Sequence, residues 1–334
     1  MRVAVLPPMS ATAPADLAER LPGWEVELVA ERAGVPAALA RADAAIAMLL
    51  KPEEAAAATG LRLCQAFVAG TDIIAVAALP AGCVVCNAYG HELAIGEHVL
   101  GVALALTRRI GQRDRALRAG RFEQGEGLDR DLSGRVVGVI GLGHIGVRVA
   151  EVCRAIGMRA VGVTAHPSPE RAAAAGLDWL GGPGRDDLHE LLRLCDLAVV
   201  CLPLDAASEG LIGPEELAAL GPEGILVNVA RGPVVQEQPL YEALRDGRIA
   251  GAAIDVWYRY PSRGNLELRP SEAPFWELEN VVLTPHTSGL SESMQRSRWE
   301  LCVRQLNAFA VGRPLENVVR AAAIGAAGAA VAAC

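Results

Sequence analysis

The stretch VVGVIGLGHIG, residues 136–146, constrains the fold of this chain more than any other part of its 334 residues. It places three glycines at the spacing G-x-G-x-x-G, after an apolar run typical of a strand and before a helical pattern. In that context the first glycine permits a tight turn, the second lets a pyrophosphate approach the backbone, and the third lets the helix pack on the strand. The helix N-terminus then directs its partial positive charge at the phosphates. The motif therefore predicts a dinucleotide site with contacts from Gly141, Gly143, His144, Ile145 and Gly146.

Short apolar blocks alternate with helical patterns along the chain, which predicts an α/β fold with parallel sheets. In the first 90 residues the candidate strands lie at 2–6, 44–50, 61–67 and 83–86. After Gly120 they lie at 135–140, 159–164, 197–202, 224–230, 249–255 and 280–285, a series typical of a doubly wound sheet. One unusually long helix is predicted at 92–119 and another helix at 291–311. The Ala-rich end from 321 is expected to be a loose tail.

Charge and cysteine content narrow the class of protein. The net charge is −8, Lys51 is the only lysine, and no long run of basic residues occurs, so nucleic-acid binding is not expected. No apolar segment approaches the roughly 20 residues that span a bilayer, and the N-terminus predicts a strand rather than a signal peptide. The eight cysteines lie mostly within apolar patterns, and CVVC at 83–86 has no second pair at zinc-site spacing. We therefore expect buried thiols, no metal site and a cytoplasmic protein.

Three segments that end predicted strands of the second series carry groups suited to catalysis. They are VNVARGPVVQE (227–237), AAIDVWYRYP (252–261) and VVLTPHTSG (281–289). Because the carboxyl ends of parallel strands meet at one edge of a sheet, Arg231, Asp255 and His286 are expected in one cleft. An arginine and a histidine beside a nicotinamide favour a catalytic role over a structural one.

With these blocks the chain resembles the D-isomer-specific 2-hydroxyacid dehydrogenases from about residue 40 to 318. The resemblance rests on GLGHIG, on IGEHVLGVALAL before it, and on CLPL, NVARG, AAIDV and LTPHTSG after it, in the family's order. It implies a Rossmann-type doubly wound parallel sheet inserted into a second, smaller flavodoxin-like α/β substrate domain. That substrate domain would comprise 1–90 and 290–334, and the dinucleotide-binding domain 91–289. Helix 92–119 would be the arm through which two subunits form a homodimer.

The resemblance also implies roles for individual residues. Arg231 matches the arginine that holds the carbonyl and carboxylate of a 2-oxo acid. His286 matches the general acid/base that exchanges a proton with the carbonyl oxygen. The loop FVAGTD at 67–72 matches the one whose N–H groups bind the substrate carboxylate, with donors from Val68, Ala69 and Gly70. The family's cofactor contacts fall on Leu202, Pro203, Ala230, Asp255 and Gly289.

One position departs from the family's pattern. The family's third catalytic residue is a Glu just before a proline, which orients the histidine and raises its pKa, whereas here Tyr260 precedes Pro261. A neutral phenol accepts a hydrogen bond from imidazole but brings no full charge. We therefore expect reduction activity to fall at a lower pH than in relatives with Glu. Glu267 or Glu272, in a segment longer than usual, is the alternative partner of the histidine.

The ribose end of the predicted cofactor site leaves the choice between NAD and NADP open. NAD sites usually place Asp or Glu at the end of the strand after the glycine motif, about 20 residues on. Here that strand ends at Thr164, so no carboxylate would repel a 2′-phosphate, and no arginine follows directly. His166 is the nearby candidate for a phosphate partner, and an ordinary loop histidine is the alternative.

Two further residues are candidates for substrate contact. Lys51 follows a predicted strand at the edge of the first domain, where a cation suits an additional anionic group of the substrate. His91 stands six residues before Glu97, where many relatives have Asn near the substrate. The alternatives are a surface lysine and a surface histidine at a helix N-terminus.

Together these features predict an NAD(P)-dependent oxidoreductase that transfers hydride between its cofactor and a small anionic 2-oxo or 2-hydroxy acid of D configuration. Two alternatives stay open. One is an enzyme of the same fold that oxidises a small anion such as phosphite or formate, which the neutral Tyr260 permits. The other is a non-catalytic NAD(P)-sensing protein, which the presence of both Arg231 and His286 disfavours.

Overall fold

The computed structural model describes residues 1–122, 127–261 and 267–321. The chain divides into a first unit, Met1–Gly90 with Ser291–Cys334, and a second unit, His91–Leu290. The division expected from the sequence differs by one residue, because Leu290 ends the second unit rather than beginning the return to the first. The expected tail lies outside the described residues beyond Ala321. Within the described residues no helix combines the length and the apolar character that a membrane crossing requires.

The first unit is built on a parallel sheet near the N-terminus. Its elements there are β1 (Arg2–Val5), β2 (Glu25–Leu28), α1 (Val35–Leu39), β3 (Ala44–Ala47), α2 (Pro52–Ala55), β4 (Leu63–Ala66) and β5 (Val84–Cys86). The strands pair in parallel in the order β2-β1-β3-β4-β5, which is the flavodoxin-like order. All residues of β3 and β4 are buried, as expected for central strands covered on both faces. The flavodoxin-like domain is confirmed.

The second unit holds a seven-stranded parallel sheet. Its elements are α3 (Glu92–Thr107), α4 (Ile110–Arg118), β6 (Val136–Ile140), α5 (His144–Ala155), β7 (Arg159–Val163), α6 (Pro169–Ala175), β8 (Trp179–Gly181), α7 (Arg185–Leu194), β9 (Leu197–Val200), α8 (Pro214–Leu220), β10 (Ile225–Asn228), α9 (Glu237–Arg245), β11 (Gly251–Ile254) and β12 (Val281–Leu283). The strand order is β12-β11-β10-β9-β6-β7-β8. It contains the Rossmann order 3-2-1-4-5-6, with β12 added at one edge. The predicted doubly wound sheet is therefore confirmed.

The last described elements, α10 (Glu292–Ala310) and β13 (Val318–Arg320), belong to the first unit. The hydroxyl of Ser291 caps α10 by accepting a hydrogen bond from the Met294 N–H (3.1 Å). The Trp299 ring packs on the Phe67 ring with 4.9 Å between the centroids. The strand β13 pairs antiparallel with β5. The C-terminal part of the chain thus completes the core that the first 90 residues begin.

Three strands were not predicted, namely β2, β8 and β13. Each lies at an edge of its sheet. In β2 both terminal residues, Glu25 and Leu28, are exposed, and β8 and β13 have only three residues each. Edge strands need not alternate or bury an apolar run, so hydrophobic periodicity does not reveal them.

The prediction of one helix at 92–119 is wrong. The helix breaks between α3 and α4, where Arg109 adopts a left-handed conformation with φ +49°. The carboxylate of Asp129 accepts hydrogen bonds from Arg109 Nε (3.2 Å) and Arg113 Nη1 (2.6 Å). These contacts fix the break through a residue about 20 positions away, which the local helical pattern does not show.

Candidate active site

The glycine turn of the second unit has the geometry that its motif predicts. Gly141 has a φ of +102°, which glycine alone adopts readily. A Cβ on Gly146 would lie 2.1 Å from the carbonyl oxygen of Gly141, so no larger residue fits there. A Cβ on Gly143 would meet no atom within 4 Å. That open space, beside His144 and Ile145 in the first turn of α5, fits the close approach of a pyrophosphate.

Other predicted cofactor residues lie at the same edge of the sheet. Leu202 follows β9, and its Cδ2 would lie 2.8 Å from a Cβ on Gly141. The carbonyl of Pro203 accepts a hydrogen bond from the Ser208 hydroxyl (2.6 Å). Thr164 is buried directly after β7. The structure therefore brings these residues to the carboxyl ends of adjacent strands, where open α/β sheets bind ligands.

One basic side chain near the turn was not predicted. Arg171, in α6, donates from Nη2 to the carbonyl oxygen of Leu142 (2.8 Å), in the middle of the glycine turn. His166, the predicted phosphate partner, is exposed in the loop before α6. The predicted cofactor site thus has a neutral Thr164 directly after β7 and an arginine of α6 at the glycine turn.

Asp255 anchors the loop that carries His286. Its carboxylate is 1 % exposed, directly after β11. It accepts hydrogen bonds from the Thr284 hydroxyl at 2.6 Å, the Thr287 N–H at 2.8 Å and the Ser288 N–H at 3.0 Å. Burial by itself would raise the pKa of this carboxyl, but the hydrogen bonds outweigh burial and the pKa lies below its ordinary value. A charged carboxylate therefore holds the Thr284 side chain before the histidine and two backbone N–H groups after it.

Tyr260 stands beside His286, in the place where the sequence leads us to expect an acidic partner. The phenolic oxygen lies 3.0 Å from Nδ1 of His286. The same oxygen accepts a hydrogen bond from the Trp257 N–H (3.2 Å). Glu272 lies 3.8 Å from Arg259 instead, and Glu267 is exposed. The rest of the longer segment, 262–266, lies outside the described residues.

The backbone at Trp257 joins this pair to the segment that carries Arg231. A Cβ on Gly232 would lie 2.3 Å from the carbonyl oxygen of Trp257, so the chain after β10 passes directly against the chain after β11. The indole N–H of Trp257 donates to the carbonyl of Thr284 (2.9 Å). Arg231 Nη1 donates to the carbonyl of Ala230 (2.8 Å). The three predicted strand ends therefore share one edge of the second unit.

In the first unit, the carbonyl oxygens at 67–69 all accept hydrogen bonds from donors within that unit. The donors are, in order, Arg298 Nη1 at 3.0 Å, the Ala88 N–H at 2.9 Å and the Asn87 side-chain amide at 2.6 Å. The segment follows β4 directly. A hydrogen bond to its carbonyl therefore fixes the direction of each peptide plane in this loop.

The N–H groups of these same peptide planes point away from those donors. In a trans peptide the N–H of a residue points away from the carbonyl of the residue before it. The N–H groups of Val68, Ala69 and Gly70 are therefore turned away from the donors that hold 67–69. Within the part of the chain that the structure describes, these N–H groups have no hydrogen-bond acceptor. Adjacent N–H groups arranged in this way suit an anion, and we call residues 67–70 the 67–70 loop.

The two remaining candidates for substrate contact lie in different units. Lys51 precedes α2 in the first unit, and its Nζ lies 3.8 Å from Glu53. His91 precedes α3 in the second unit and lies against Gly289, where an added Cβ would be 3.4 Å from the His91 Cβ. His91 thus packs against the loop that carries His286.

The described cysteines are free thiols, and all except Cys201 are buried, which confirms the expectation from the sequence. Cys334 lies outside the described residues. A separate cluster of His189, Glu215 and Glu216 has donor atoms within 4.8 Å of one another. Because Arg185 Nη1 already binds Glu216 at 2.9 Å, this cluster is an ion-pair network at the start of α8.

Known proteins are similar to this chain in both sequence and fold. Residues 100–288 match the model of the D-isomer specific 2-hydroxyacid dehydrogenase, NAD binding domain. The chain is 33 % identical over 252 residues to D-3-phosphoglycerate dehydrogenase of Methanocaldococcus jannaschii, across 75 % of this chain and 46 % of that protein. It is 31 % identical over 286 residues to glyoxylate reductase of Korarchaeum cryptofilum, across 83 % of this chain and 82 % of that protein.

A solved structure extends the likeness to nearly the full chain. The NADPH-dependent glyoxylate/hydroxypyruvate reductase of Sinorhizobium meliloti, in complex with NADP and malonate, has a TM-score of 0.74 at 28 % identity, covering 95 % of this chain and 96 % of that one. The chain spans about half the length of the D-3-phosphoglycerate dehydrogenases that it matches. Fold and strand-end residues define a Rossmann-type protein with a second, flavodoxin-like unit. The chain belongs to the D-isomer specific 2-hydroxyacid dehydrogenase family.

Several residues that hold the candidate site were not predicted. Thr284 and Ser288 lie inside the LTPHTSG block beside His286, so the local sequence could have indicated them as donors to Asp255. Asn87 and Arg298 are far from the 67–70 loop in the sequence and gave no local signal. Only the folded first unit brings them to that loop.

Proposed function

We propose that this chain is an NAD(P)-dependent dehydrogenase that interconverts a small 2-oxo acid and the corresponding D-2-hydroxy acid. The observation that carries the proposal is the setting of His286. Asp255 binds the Thr284 hydroxyl before the histidine and two backbone N–H groups after it, and the Tyr260 hydroxyl lies 3.0 Å from Nδ1. A histidine oriented in this way is suited to general acid/base catalysis.

Different residues of the chain have different roles in the reduction of the 2-oxo acid. The Arg231 guanidinium binds the carbonyl and carboxylate oxygens through two donors. His286 gives the proton on Nε2 to the carbonyl oxygen, while the carbonyl carbon gains a C–H bond and the C=O double bond becomes single. When bound at the glycine turn, a reduced nicotinamide cofactor would supply the hydride that forms this C–H bond. The N–H groups of the 67–70 loop bind the substrate carboxylate.

Tyr260 stays bonded to the histidine in both of its protonation states. A phenol is both a donor and an acceptor. It accepts from the Nδ1–H of imidazolium and, because the proton leaves from Nε2, it accepts from the same Nδ1–H in the neutral imidazole. The pair therefore orients the ring throughout the cycle without adding a negative charge to it.

The glycine turn fits the cofactor, because Gly143 leaves the space that a pyrophosphate needs. Leu202, Pro203 and Thr164 would line the nucleotide. The proposal covers NAD and NADP, and the ratio of kcat/KM for the two reduced cofactors measures the preference. Thr164 brings no carboxylate to the ribose, and Arg171 lies at the turn.

We also propose a homodimer in a reducing compartment such as the cytoplasm. Exposed apolar side chains lie on α3 and α4 and just after them, including Leu104, Ile110, Leu117 and Phe122. Exposed apolar groups concentrated on one region suit a subunit interface. Free, buried cysteines suit a reducing compartment.

Turnover assays test the proposed function. The chain is incubated with NADH or NADPH and a panel of 2-oxo acids, and with NAD or NADP and formate or phosphite. We expect oxidation of a reduced cofactor by a 2-oxo acid, a D-configured product, and loss of that activity in His286→Ala but not in the control His189→Ala. Turnover of formate or phosphite alone, or tight cofactor binding with no turnover, would instead support one of the two alternatives and overturn this proposal.

A further inference from the structure

We propose that Arg298 is a positioning residue for the 67–70 loop and thereby sets the affinity for the substrate's carboxylate. This inference rests on the proposed function, in which that loop binds an anion. Arg298 lies in α10, more than 200 positions from the loop, and is 7 % exposed. A guanidinium is rarely buried to this extent without a specific set of acceptors.

Two backbone carbonyls of the first unit receive hydrogen bonds from this guanidinium. Arg298 Nη1 donates to the Phe67 carbonyl at 3.0 Å, and Nε donates to the Tyr89 carbonyl at 3.2 Å. The guanidinium carbon also lies 6.0 Å from the centroid of the Phe67 ring, within reach of a cation–π interaction. Arg298 therefore fixes the residue at which the 67–70 loop begins.

The second hydrogen bond acts on the segment that holds the rest of the loop. Asn87 and Ala88 donate to the carbonyls of Ala69 and Val68. Tyr89 follows these two donors directly, so Arg298 anchors their segment as well as the loop itself. Loss of Arg298 is therefore expected to loosen all three peptide planes that aim the N–H groups.

The charge of Arg298 adds to its effect on position. The Phe67 carbonyl and the Val68 N–H belong to one peptide bond, so an anion on that N–H lies one peptide bond from the guanidinium. A cation at that distance in a partly buried region attracts the anion, because the effective dielectric there is well below that of water. Both effects act on binding of the substrate rather than on the proton or hydride step.

Arg320 provides a matched control within the same unit. It donates to the carbonyls of Val76, Leu79, Pro80 and Cys83, none of which belongs to the 67–70 loop. Arg320 is thus a clamp between backbone carbonyls outside the 67–70 loop. If Arg298 were only such a clamp, the two arginines would give the same result on substitution.

The test compares steady-state kinetics of the full chain with Arg298→Met, Arg298→Lys and Arg320→Met. For Arg298→Met we expect the KM for the 2-oxo acid to rise by about tenfold or more, as for loss of a charge-assisted hydrogen bond. The KM for the cofactor and kcat should stay within about twofold of wild type. Arg298→Lys, which keeps the charge and loses the paired donors, should raise the KM for the acid by a smaller factor. Arg320→Met should lower Tm and leave the KM for the acid unchanged.

An unchanged KM for the acid in folded Arg298→Met, or an equal rise in Arg320→Met, would show that Arg298 has no positioning role. If Arg298→Met does not fold, Arg298→Lys decides in the same way. The methyl ester of the same acid is a further probe, since its turnover should depend much less on Arg298. Absence of turnover by the wild-type chain would overturn the proposed function, whereas wild-type turnover with unaltered KM in the variants would overturn only the role of Arg298.

Discussion

Two loops, the 67–70 loop after β4 and residues 284–288 after β12, both follow a parallel strand. We call residues 284–288 the His286 loop. A hydrogen-bond acceptor anchors the His286 loop, whereas hydrogen-bond donors anchor the 67–70 loop. In the second unit, a buried carboxylate, Asp255, gathers N–H and hydroxyl donors at Thr284, Thr287 and Ser288. In the first unit, Arg298 and the Asn87 amide donate to backbone carbonyls of the loop. The first arrangement presents a side chain, and the second presents a row of N–H groups.

The groups that a strand-end loop presents to a ligand depend on which of its backbone groups are already hydrogen-bonded. A peptide plane has one donor and one acceptor on opposite sides, so a partner that engages one of them decides which is turned the other way. A carboxylate that anchors a loop accepts hydrogen bonds from its N–H groups. Donors that anchor a loop instead bond its carbonyls. The anchoring residue therefore matters as much as the residues that meet the ligand.

Among the substitutions that test this comparison, Asp255→Asn should have the largest effect on stability. The amide cannot accept at both of its ends, so at least one buried N–H or hydroxyl group of the His286 loop loses its acceptor. We expect the free energy of unfolding to fall by about 2 kcal/mol or more. The exposed Asp246, which pairs with the adjacent Arg245, is the control, and Asp246→Asn should lower the free energy of unfolding much less. Denaturant unfolding measures both, and equal losses would contradict the anchoring role of Asp255.

The effect of Asp255→Asn should also depend on pH. Although burial would raise the pKa of Asp255, its hydrogen bonds hold that pKa below the ordinary value. The stability that the carboxylate contributes is therefore fully present above the ordinary pKa of about 4, and is lost as the pH falls through the lower value of the folded state. The difference in free energy of unfolding between wild type and Asp255→Asn should be constant at neutral pH and shrink in acid. A difference that grows in acid would contradict this assignment.

Asn87→Ala should have a smaller effect, confined to the 67–70 loop. It removes the donor to the Ala69 carbonyl, which is 2.6 Å away. The Gly70 N–H then loses its fixed direction, and we expect the Kd for oxamate, an unreactive analogue of a 2-oxo acid, to rise by about five- to tenfold, as for one hydrogen bond. Asn280→Ala is the control, since that amide donates to carbonyls of Leu244 and Ala250 in the other unit. Titration with the cofactor present measures both, and equal shifts would argue against the loop as the anion site.

Substitution of Tyr260 should act mainly on the pH profile of reduction and leave the anchors of both loops in place. Tyr260→Glu places a carboxylate at Nδ1 of His286, which stabilises the imidazolium. The alkaline limb of kcat/KM for reduction should then move upwards by about 1–3 pH units. Tyr260→Phe removes the hydrogen bond and should move that limb slightly downwards. Tyr258→Phe is the control, because the Tyr258 hydroxyl donates to the Val235 carbonyl (2.9 Å). The alkaline limb of this variant should match that of the wild type. If the alkaline limb of kcat/KM in Tyr260→Glu stays at the pH of the wild type, Tyr260 is not the partner of His286.

The parts of this molecule that were predictable from the sequence are those with local causes. Gly141 and Gly146 are required by one turn and one helix contact, so their spacing alone predicts the turn. Central strands are apolar because both faces are covered, and they appeared in the sequence at the right places. Tyr260 was one candidate partner of His286 because it occupies a fixed step after Asp255, with Glu267 or Glu272 as the alternative, and its hydroxyl lies 3.0 Å from Nδ1.

The unpredicted parts depend on contacts between distant residues. The break before α4 is held by Asp129, about 20 positions away. The 67–70 loop is held by Arg298, which the chain reaches only after the whole second unit. No periodicity or motif spacing reports such pairs, because each partner alone looks like an ordinary surface residue.

The most direct measurement is the steady-state reduction of one 2-oxo acid by wild type, Asp255→Asn and Asn87→Ala side by side. If the His286 loop delivers the proton and the 67–70 loop binds the carboxylate, Asp255→Asn should lower kcat by about 100-fold or more with little change in the KM for the acid. Asn87→Ala should raise that KM by about five- to tenfold with little change in kcat. Both substitutions acting on the same parameter, or a wild-type chain that reduces no 2-oxo acid, would contradict the division of roles between the two loops.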